Sequence, residues 1–317
     1  MNAFVLTQPG GPENLVLADL PVPQPKSGEV LVRTKALSIN PVDIAVRSSD
    51  WALNMFLQPV AGEPVIPGWD IAGIVESIGP DVTSFKPGDA VFGMVRFPGH
   101  GKAYAEYVAA PADQLALKPA AVSFESAAAT TLAALTAWKA VVGYGQVKKG
   151  DRVLIHGVTG GVGHFAAQIA RHFGAYVIGT SSAAHRDFAL TLVDEHIDYK
   201  STRFEEVVSD VDFVLDGVQM TKEHLERSLT VIRPGGTLVS ILAQFDEALN
   251  QQLSARQVKG YRVGVVSDGA DQRSLAELLE SGALQPHVFR TFAFDELPEA
   301  HRVQESKSVA GKVVVTV

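Results

Sequence analysis

The chain of 317 residues is longer than a single hydrophobic core usually serves, so its length favours two domains. Its formal net charge of −8, with no run rich in Lys or Arg, argues against a surface that binds nucleic acid. The sequence contains no cysteine, which excludes disulfides, thiolate catalysis and zinc sites that need sulfur.

Hydropathy along the chain indicates a cytoplasmic protein. The N-terminal MNAFVLTQPGG has neither the basic lead nor the apolar core of a signal peptide. No run of about 18 uninterrupted apolar residues is present that could cross a bilayer. We therefore expect no membrane partner.

Residues 1–123 alternate short apolar runs with turn sequences. Runs such as EVLVRTKAL and AGIVESIG are separated by PKSG, IGPD, KPGD and FPGHG, which is typical of an all-β module. From Phe124 the composition changes to a stretch rich in Ala and Leu, which predicts a helix with Ser123 or Ser126 as its cap.

Strands and helices alternate in the next part of the chain, which predicts a parallel sheet covered by helices on both faces. Its strands are expected at residues 152–155, 175–179, 212–215, 237–242 and 261–266. A helix with Leu275, Leu278 and Leu279 on one face follows. The final FRTFAF and GKVVVTV resemble the strands of the first module, so the C-terminus is expected to return to it.

The predicted fold class is therefore α/β, with two domains. Residues 1–123 and 267–317 are expected to form a β-rich domain. Residues 124–266 are expected to form a doubly wound domain around the parallel sheet.

The turn after the first strand of the second domain is rich in glycine. Gly160-Gly161-Val162-Gly163 follows a strand predicted to end near Ile155, and a helix is predicted to begin near Gly161. Such a loop presents backbone N–H groups and the positive end of a helix to a pyrophosphate. Val158 stands where the pattern G-x-G-x-x-G has its first glycine. The alternative is a tight turn that binds nothing.

The end of the next strand discriminates between the two nicotinamide dinucleotides. A site for NAD carries a carboxylate there, which binds the ribose 2′-hydroxyl. This chain has Ser181 and Ser182 instead, with Arg186 beyond them and no acid before Asp187. Hydroxyl groups and a guanidinium suit a 2′-phosphate, so we expect NADP(H). The alternative is that the serines cap the next helix.

At this point the sequence resembles the medium-chain dehydrogenase/reductase superfamily over essentially its whole length, and within it the zinc-free quinone oxidoreductases and alkenal or enone reductases. The motifs that carry the resemblance are SINPVD, PGWDIAGIV, KPGDAVFG, AYAEYVAAP, the glycine loop, IDYK, RPGGTLVSI and GKVVVTV. The resemblance implies a GroES-like catalytic domain and a Rossmann domain that binds NADP(H).

The zinc positions of the resembling family are not kept in this chain. Zinc-dependent relatives have a cysteine in the segment that reads Ala36 to Ile39, a histidine where Trp69 stands, and four cysteines near residues 97–102. His164 and His172 share a helix face with Gln168 but lie two turns apart, so we expect them to face solvent and to bind no metal.

The resemblance also implies roles for residues of the first domain. Asn40 is expected beside the nicotinamide at the domain cleft, with Asp43 close behind it. Tyr104 and Trp51 are expected to form walls for a flat acceptor. The alternatives are that Asn40 starts a turn before its proline, that Asp43 braces the loop, and that the aromatic residues belong to the core.

Further cofactor contacts follow from the same resemblance. Thr136 is expected to approach the carboxamide, Ser240 and Leu242 to offer it backbone groups, and Tyr199 to lie against the adenosine. Lys312 is expected to touch the cofactor; the alternative is a surface lysine at the start of the last strand.

We therefore predict an NADPH-dependent, zinc-independent reductase of quinones or α,β-unsaturated carbonyl compounds. Without zinc to polarise a carbonyl, an acceptor that is already electron-poor is the accessible substrate. One alternative is a regulatory or RNA-associated protein that binds NADP(H) with little activity. Another is a thioester-linked enoyl reductase, for which the sequence shows no basic entry. A homodimer is expected through the edge strand near residues 261–266.

Overall fold

The computed structural model describes residues 1–218, 221–306 and 308–317. The chain divides into two compact units, one formed by Met1–Leu135, Val265–Gly282 and Pro286–Val317, and one formed by Thr136–Gly264 and Ala283–Gln285. The first unit keeps residues 124–135, which the sequence analysis assigned to the second domain, because the helix in this stretch packs on the sheet of the first unit. The domain limits expected from the sequence stay a prediction.

The first unit contains two β-sheets. In the smaller one, β1 (Asn2–Leu6) pairs antiparallel with β2 (Leu15–Asp19). The larger sheet has the spatial order β14-β15-β3-β4-β5-β7, with β6 also paired to β3. Its strands are β3 (Glu29–Ile39), β4 (Asp70–Ile78), β5 (Ala90–Met94), β6 (Tyr107–Pro111), β7 (Ala116–Leu117), β14 (Val288–Ala293) and β15 (Lys312–Thr316).

The C-terminal strand β15 pairs antiparallel with β3, so the last residues of the chain complete the sheet that its first third began. The core of this sheet is formed by branched apolar side chains that alternate along the strands, among them Val30, Val32, Ile71, Val75 and Val91. This packing fixes where β3, β4 and β15 end, and those ends carry the polar residues described below.

The helices of the first unit lie around the larger sheet. They are α1 (Pro41–Ser48), α2 (Asp50–Ala52), α3 (Phe124–Ala129), α10 (Gly269–Glu280) and α11 (Leu297–Glu305), and α4 (Leu132–Trp138) begins there. The Ser123 hydroxyl caps α3 by accepting a hydrogen bond from the Ser126 N–H, so Ser123 and not Ser126 is the cap. The predicted burial of Leu275, Leu278 and Leu279 on α10 is confirmed.

The second unit is built on a six-stranded parallel sheet of spatial order β10-β9-β8-β11-β12-β13. Its strands are β8 (Arg152–His156), β9 (Tyr176–Ser181), β10 (Glu195–Asp198), β11 (Val211–Asp216), β12 (Ile232–Ser240) and β13 (Lys259–Arg262). The chain runs outward from β8 to one side and then from β11 to the other, which is the doubly wound dinucleotide-binding order.

The largest differences between the observed and the expected strand bounds are in β12 and β13. β12 begins at Ile232, five residues before the expected start at residue 237, so it includes the RPGG segment. β13 ends at Arg262, and the apolar residues after it, which were expected to prolong the strand, form no regular element. The core lies between the sheet and its helices α5 (Gly163–His172), α6 (Arg186–Leu192), α7 (Phe204–Val207), α8 (Lys222–Thr230) and α9 (Glu247–Ala255).

One face of α5 is more enclosed than its polar sequence indicates. His172 is exposed as expected, but the expectation for His164 is wrong, because its side chain is fully buried and its Nδ1 lies 2.9 Å from the Gly160 carbonyl oxygen. The Gln168 side chain is half-buried and exchanges hydrogen bonds with the backbone of Gln285. A helical repeat shows which residues share a face, but it does not show what covers that face.

Gly163, the first residue of α5, is expected to tolerate no side chain. A Cβ there would lie 2.2 Å from the Gly157 carbonyl oxygen and 2.8 Å from the Val158 Cα, both of them backbone atoms. We expect Gly163→Ala to lower the free energy of unfolding by about 1–3 kcal/mol, since overpacking against backbone forces it to shift. Chemical denaturation followed by circular dichroism measures the change.

Gly143→Ala is the matched control for this substitution. A Cβ at Gly143 would meet only the flexible Lys139 side chain, at 3.8 Å. We expect this variant to unfold at the same denaturant concentration as the parent chain or at a higher one. Equal stability of the two variants would show that the close approach of the loop to α5 is not a constraint.

Candidate functional site

Asn40 lies at the end of the longest strand of the first unit. β3 ends at Ile39, and α1 begins with Pro41 in the first helical position, which suits proline because that position needs no N–H. The Asp43 carboxylate accepts a hydrogen bond of 2.7 Å from the Asn40 backbone N–H. Asp43 therefore braces the start of α1, as one of the sequence interpretations held, and Asn40 is enclosed with 1% of its surface exposed.

The Asn40 side chain is held at both ends of its amide. Its Nδ2 donates to the Asp70 carboxylate at 2.7 Å, and its Oδ1 accepts from the Lys312 ammonium. Lys312 also donates to the Ile39 carbonyl at 3.0 Å and is 2% exposed, so the alternative of a surface lysine is wrong. The ends of β3, β4 and β15 thus bring an amide, a carboxylate and an ammonium together.

Asp70 is a residue of this network that the sequence analysis did not select. It opens β4, its side chain is buried, and it also accepts from the Leu132 N–H at 3.1 Å. The only indication of Asp70 in the sequence is its place at the end of the Gly68-Trp69-Asp70 triplet. That triplet was compared with zinc-dependent relatives only for the histidine that Trp69 replaces. Its contact with Asn40 depends on the pairing of β3 with β4, which the sequence does not show.

Two carboxylates and one ammonium share this buried space, and burial disfavours all three charged forms. Burial, and then the charge of Asp70, raise the pKa of Asp43 to about 7. Burial also raises the pKa of Asp70 and lowers the pKa of Lys312. The network therefore carries less charge than its formal count, and it exchanges a proton near neutral pH.

Tyr104 lies inside the first unit next to the same network. Its side chain has no exposed surface, and its hydroxyl lies 2.9 Å from His301 Nε2. Burial, and then the charge of Arg47, lower the pKa of His301 to about 3, so this imidazole is neutral. The expectation that the Tyr104 ring forms a wall for an acceptor is not met, because the ring offers no surface.

Trp51, the other expected wall, is 66% exposed. Its ring packs edge-on against Phe56, with centroids 6.0 Å apart, and Phe56 stacks on Phe97. Trp51 is thus an exposed aromatic surface, and its ring is held by the contacts with Phe56 and, through Phe56, with Phe97.

The glycine loop of the second unit has the form expected of an anion cradle. Gly157 has φ of +70°, and the Gly160 N–H bonds back to the Gly157 carbonyl at 2.9 Å, which closes the turn. In the described part of the chain, the N–H groups of Gly161, Val162 and Gly163 have no acceptor. They lie at the N-terminus of α5, where the helix dipole favours an anion.

Val158 replaces the first glycine of the pattern, and a second glycine compensates for it. The Val158 side chain is fully buried, and a Cβ on Gly179 in the neighbouring strand would lie 2.7 Å from its Cγ1. Gly179 therefore leaves the space that Val158 fills. The departure from G-x-G-x-x-G is accommodated inside the sheet and leaves the amide groups of the turn unchanged.

The residues expected at the 2′-phosphate lie together at the carboxyl ends of β9 and β10. Ser181 ends β9 with its side chain almost enclosed, Ser182 is half-buried before a turn, and Arg186 is exposed at the start of α6. The Tyr199 N–H donates to the Ser181 carbonyl at 3.2 Å, and the Tyr199 side chain is 58% exposed. The alternative role of Ser182 as a cap is not supported by a side-chain hydrogen bond.

His196 is a further residue of this corner that the sequence analysis missed. Its Nε2 lies 2.8 Å from the Ser181 hydroxyl. The contact arises because β10 runs parallel to β9 with His196 opposite Gly179. Burial, and then the charge of Arg186, lower the pKa of His196, while Asp198 raises it.

The remaining expected cofactor contacts lie in less accessible places. Thr136 is buried on α4, and Ser240 is fully buried at the end of β12, where its hydroxyl accepts from the Ala243 N–H at 3.0 Å. Leu242 follows β12 and is 37% exposed. Among the described residues, Ser240 and Leu242 make no hydrogen bond to the Ser181 corner or to the glycine loop.

Two searches of the described ranges gave no metal or membrane feature. Across residues 1–218, 221–306 and 308–317, no group of three or more His, Asp or Glu side chains is arranged to hold a metal ion. None of the helices in these ranges combines the length and the apolar character that a bilayer span requires.

Replacing Asp43 is expected to change how stability depends on pH. Because the pKa of Asp43 is 3.8 in the unfolded reference and about 7 in the folded protein, the folded state binds more protons between these values. The free energy of unfolding should therefore fall as pH rises through this window, by on the order of 4 kcal/mol. Asp43→Asn keeps an acceptor for the Asn40 N–H and should remove most of this loss.

Denaturant unfolding between about pH 4 and about pH 8 measures this effect. Asp113→Asn, at an exposed position of the same unit, is the control and should retain the parent slope. Parallel pH curves for the parent chain and Asp43→Asn would contradict the burial of an uncharged Asp43.

Comparison with known proteins agrees with this architecture. Residues 26–120 match the family model described as "Alcohol dehydrogenase GroES-like domain", and residues 193–315 match the one described as "Zinc-binding dehydrogenase". The 2-methylene-furan-3-one reductase of Solanum lycopersicum is 32% identical over 326 residues, which covers 99% of this chain and 79% of the relative.

Two solved structures extend the likeness to three dimensions. The quinone oxidoreductase from Coxiella burnetii superposes with a TM-score of 0.90 at 31% identity, covering 100% of this chain and 99% of that one. A mycobacterial protein solved in complex with NADPH has a TM-score of 0.84 at 30% identity, with 100% of both chains covered. This chain is thus an oxidoreductase and belongs to the medium-chain dehydrogenase/reductase superfamily, in the branch of the quinone oxidoreductases and enone reductases.

Proposed function

We propose that this protein reduces quinones or α,β-unsaturated carbonyl compounds with NADPH. The observation that carries the choice of cofactor is the corner formed by Ser181, Ser182 and Arg186, which provides hydroxyl groups and a guanidinium at the end of β9. Similarity to an enone reductase and a quinone oxidoreductase supports the class of acceptor, and a neighbour solved with NADPH supports the class of cofactor.

The residues of the second unit fit such a dinucleotide. The amide groups of Gly161, Val162 and Gly163 suit its diphosphate. Gly161 and Gly163 have no side chain that could cover these amide groups. Asp198, a carboxylate at the end of the neighbouring strand β10, already accepts from the Lys200 N–H at 3.1 Å and from the Ser201 hydroxyl at 3.1 Å. It is thus engaged in its own turn and does not take the place of the carboxylate that binds a free 2′-hydroxyl.

The first unit supplies the groups that orient the reacting partners. When bound, the nicotinamide ring supplies the hydride. The Asn40 amide has one N–H beyond the bond it makes to Asp70, and Lys312 fixes which way this amide faces. The second N–H is suited to an oxygen on which charge develops. Trp51 offers an exposed flat surface to a conjugated acceptor.

Proton supply to the reduced acceptor follows from the same network. Asp43, Asp70 and Lys312 are buried together, and the pKa of Asp43 is raised to about 7 by burial and by Asp70. A group of this kind holds a proton at neutral pH close to Asn40. Water is the other source of this proton.

Introducing a carboxylate at Ser181 or removing the guanidinium of Arg186 is expected to reverse the preference for NADPH over NADH. Removing a charge-assisted hydrogen bond costs about 1.5–3 kcal/mol, which corresponds to roughly a tenfold to hundredfold loss of affinity. Ser181→Asp and Arg186→Ala should therefore raise the KM for NADPH by about that factor and change the KM for NADH much less. Parallel assays with a simple quinone and a simple enone, followed by nicotinamide absorbance, measure this.

Arg256→Ala is the matched control, since it removes an exposed arginine of the same unit at the end of α9. Its kinetics should equal those of the parent chain. A parent protein that uses NADH and NADPH equally well would overturn the cofactor preference. A folded protein that binds NADPH but reduces neither acceptor would favour the regulatory alternative.

The edge strand of the second unit supports the expected homodimer. β13 has a neighbour on one side only, and Tyr261 on it is 37% exposed. We expect light scattering to give about twice the chain mass of 33.8 kDa and Tyr261→Asp to shift the protein toward the single-chain mass, because a charge on an exposed edge strand opposes pairing. Tyr176→Asp, on an interior strand, is the control. A parent protein of one chain mass would contradict the dimer.

A further inference from the structure

We propose that His196 determines how strongly this protein discriminates the 2′-phosphate of its dinucleotide, by deciding whether the Ser181 hydroxyl donates to His196 or to the ligand. The inference rests on the proposed preference for NADPH. His196 is a positioning residue in this account, because it acts mainly through Ser181.

The geometry of two neighbouring strands creates this pair. Ser181 is the last residue of β9, and its hydroxyl has two partners in the structure: His196 Nε2 at 2.8 Å and the Ser182 carbonyl oxygen at 3.2 Å. Ser181 is only 3% exposed, so few other groups compete for this hydroxyl. His196 is half-buried on β10 and faces the same corner as Arg186.

A count of hydrogens shows why the state of His196 matters. The serine hydroxyl has a single hydrogen to donate, whereas its oxygen can accept. If Nε2 of a neutral His196 lacks a hydrogen, the Ser181 hydroxyl donates to it and has nothing left for a phosphate oxygen. If Nε2 carries a hydrogen, the imidazole donates to the Ser181 oxygen, and the hydroxyl hydrogen, which then has only the Ser182 carbonyl at 3.2 Å as its acceptor, can turn toward a ligand. A protonated imidazole always has this second arrangement.

Charges around His196 connect this arrangement to pH. Arg186 on α6 and Asp198 on its own strand are the charged groups that act on it, and the facing strand β9 carries no charged side chain. Burial and Arg186 lower the pKa of His196, so the imidazole is mostly neutral in the free protein at neutral pH. A phosphate monoester carries a charge of about −1.5 to −2 at pH 7 and would favour the protonated imidazole.

The sign of the effect follows from linkage. If a ligand raises the pKa of His196, binding takes up a proton, and affinity for that ligand rises as pH falls. The effect should be seen between about pH 8 and about pH 6.5, because the phosphate itself begins to protonate near pH 6. A ligand without the 2′-phosphate should show little of it. Discrimination between the two ligands is therefore expected to grow as the solution becomes more acidic.

The test compares adenosine 2′,5′-bisphosphate with adenosine 5′-monophosphate by titration calorimetry, at about pH 8 and about pH 6.5. The two probes differ only in the 2′-phosphate, and neither requires turnover. His196→Gln places an amide nitrogen near the position of Nε2, where it donates at every pH. His172→Gln changes an exposed histidine of the same unit and is the control.

We expect the ratio of the two affinities to rise about threefold in the parent chain and in His172→Gln as pH falls from about 8 to about 6.5, which corresponds to a His196 pKa raised by about one unit on binding. In His196→Gln the ratio should stay constant, while binding of the monophosphate shows that the variant is folded. Proton uptake, measured in buffers of different ionisation enthalpy, should accompany the bisphosphate only in the two chains that retain His196.

Two results would overturn the proposal, and they differ from a failure of the cofactor assignment. An equal pH response of His196→Gln and the parent chain would remove His196 from the discrimination. An equal pH response of the two probes in the parent chain would place the proton elsewhere in the adenosine site. A parent chain that binds both probes equally at both pH values would instead refute the NADPH preference, and the role of His196 with it.

Discussion

The hydrogen bonds of Lys312 hold the buried polar network around Asn40 in place. This lysine comes from the last strand of the chain, yet it bonds to the backbone and side chain at the end of β3, more than 270 residues earlier. Asn40 is oriented only when β15 has joined the sheet, and Asp70 completes the arrangement from β4. A buried ion pair stabilises a fold little compared with apolar residues of the same volume. The contribution of this network is therefore geometric: it holds one amide at both ends.

The glycine loop of the second unit depends instead on positions that have no side chain. α5 approaches the turn after β8 so closely that Gly163 has no room for a Cβ, and Gly179 leaves the space that Val158 occupies. The first constraint keeps the amide groups at the start of α5 pointing out of the turn. The second explains how the chain departs from the dinucleotide pattern without losing its geometry. Hydrogen bonds fix the Asn40 network of the first unit, and close backbone packing fixes the glycine loop of the second.

A feature of this structure is predictable from the sequence when residues close together in the chain determine it. It is not predictable when it depends on contacts between residues that are far apart in the chain. The parallel sheet was predictable because β8, β9, β11 and β12 contain apolar runs between helical segments, and Ser123 as a cap was predictable because capping is local. His164 was misjudged because a polar residue on a helix face does not reveal what packs there. Asp70 and His196 were missed because their partners are 30 and 15 residues away, and strand register brings them together. Register decides contacts between side chains, and no local pattern encodes it.

Burial shifts the pKa of Asp43 in the first unit and the pKa of His196 in the second unit in opposite directions. Both shifts matter for any study of the whole reaction. Around Asn40, burial raises the pKa of Asp43 to about 7, so this network gains a proton as pH falls toward neutrality. Around Ser181, burial and Arg186 lower the pKa of His196, and an anionic ligand opposes that shift. A fall in pH therefore favours proton uptake by Asp43 and, where an anionic ligand is bound, by His196. A pH profile of turnover would report their product as one macroscopic curve. Binding of nucleotide fragments isolates the second contribution, because such fragments carry no nicotinamide and their binding involves no hydride transfer.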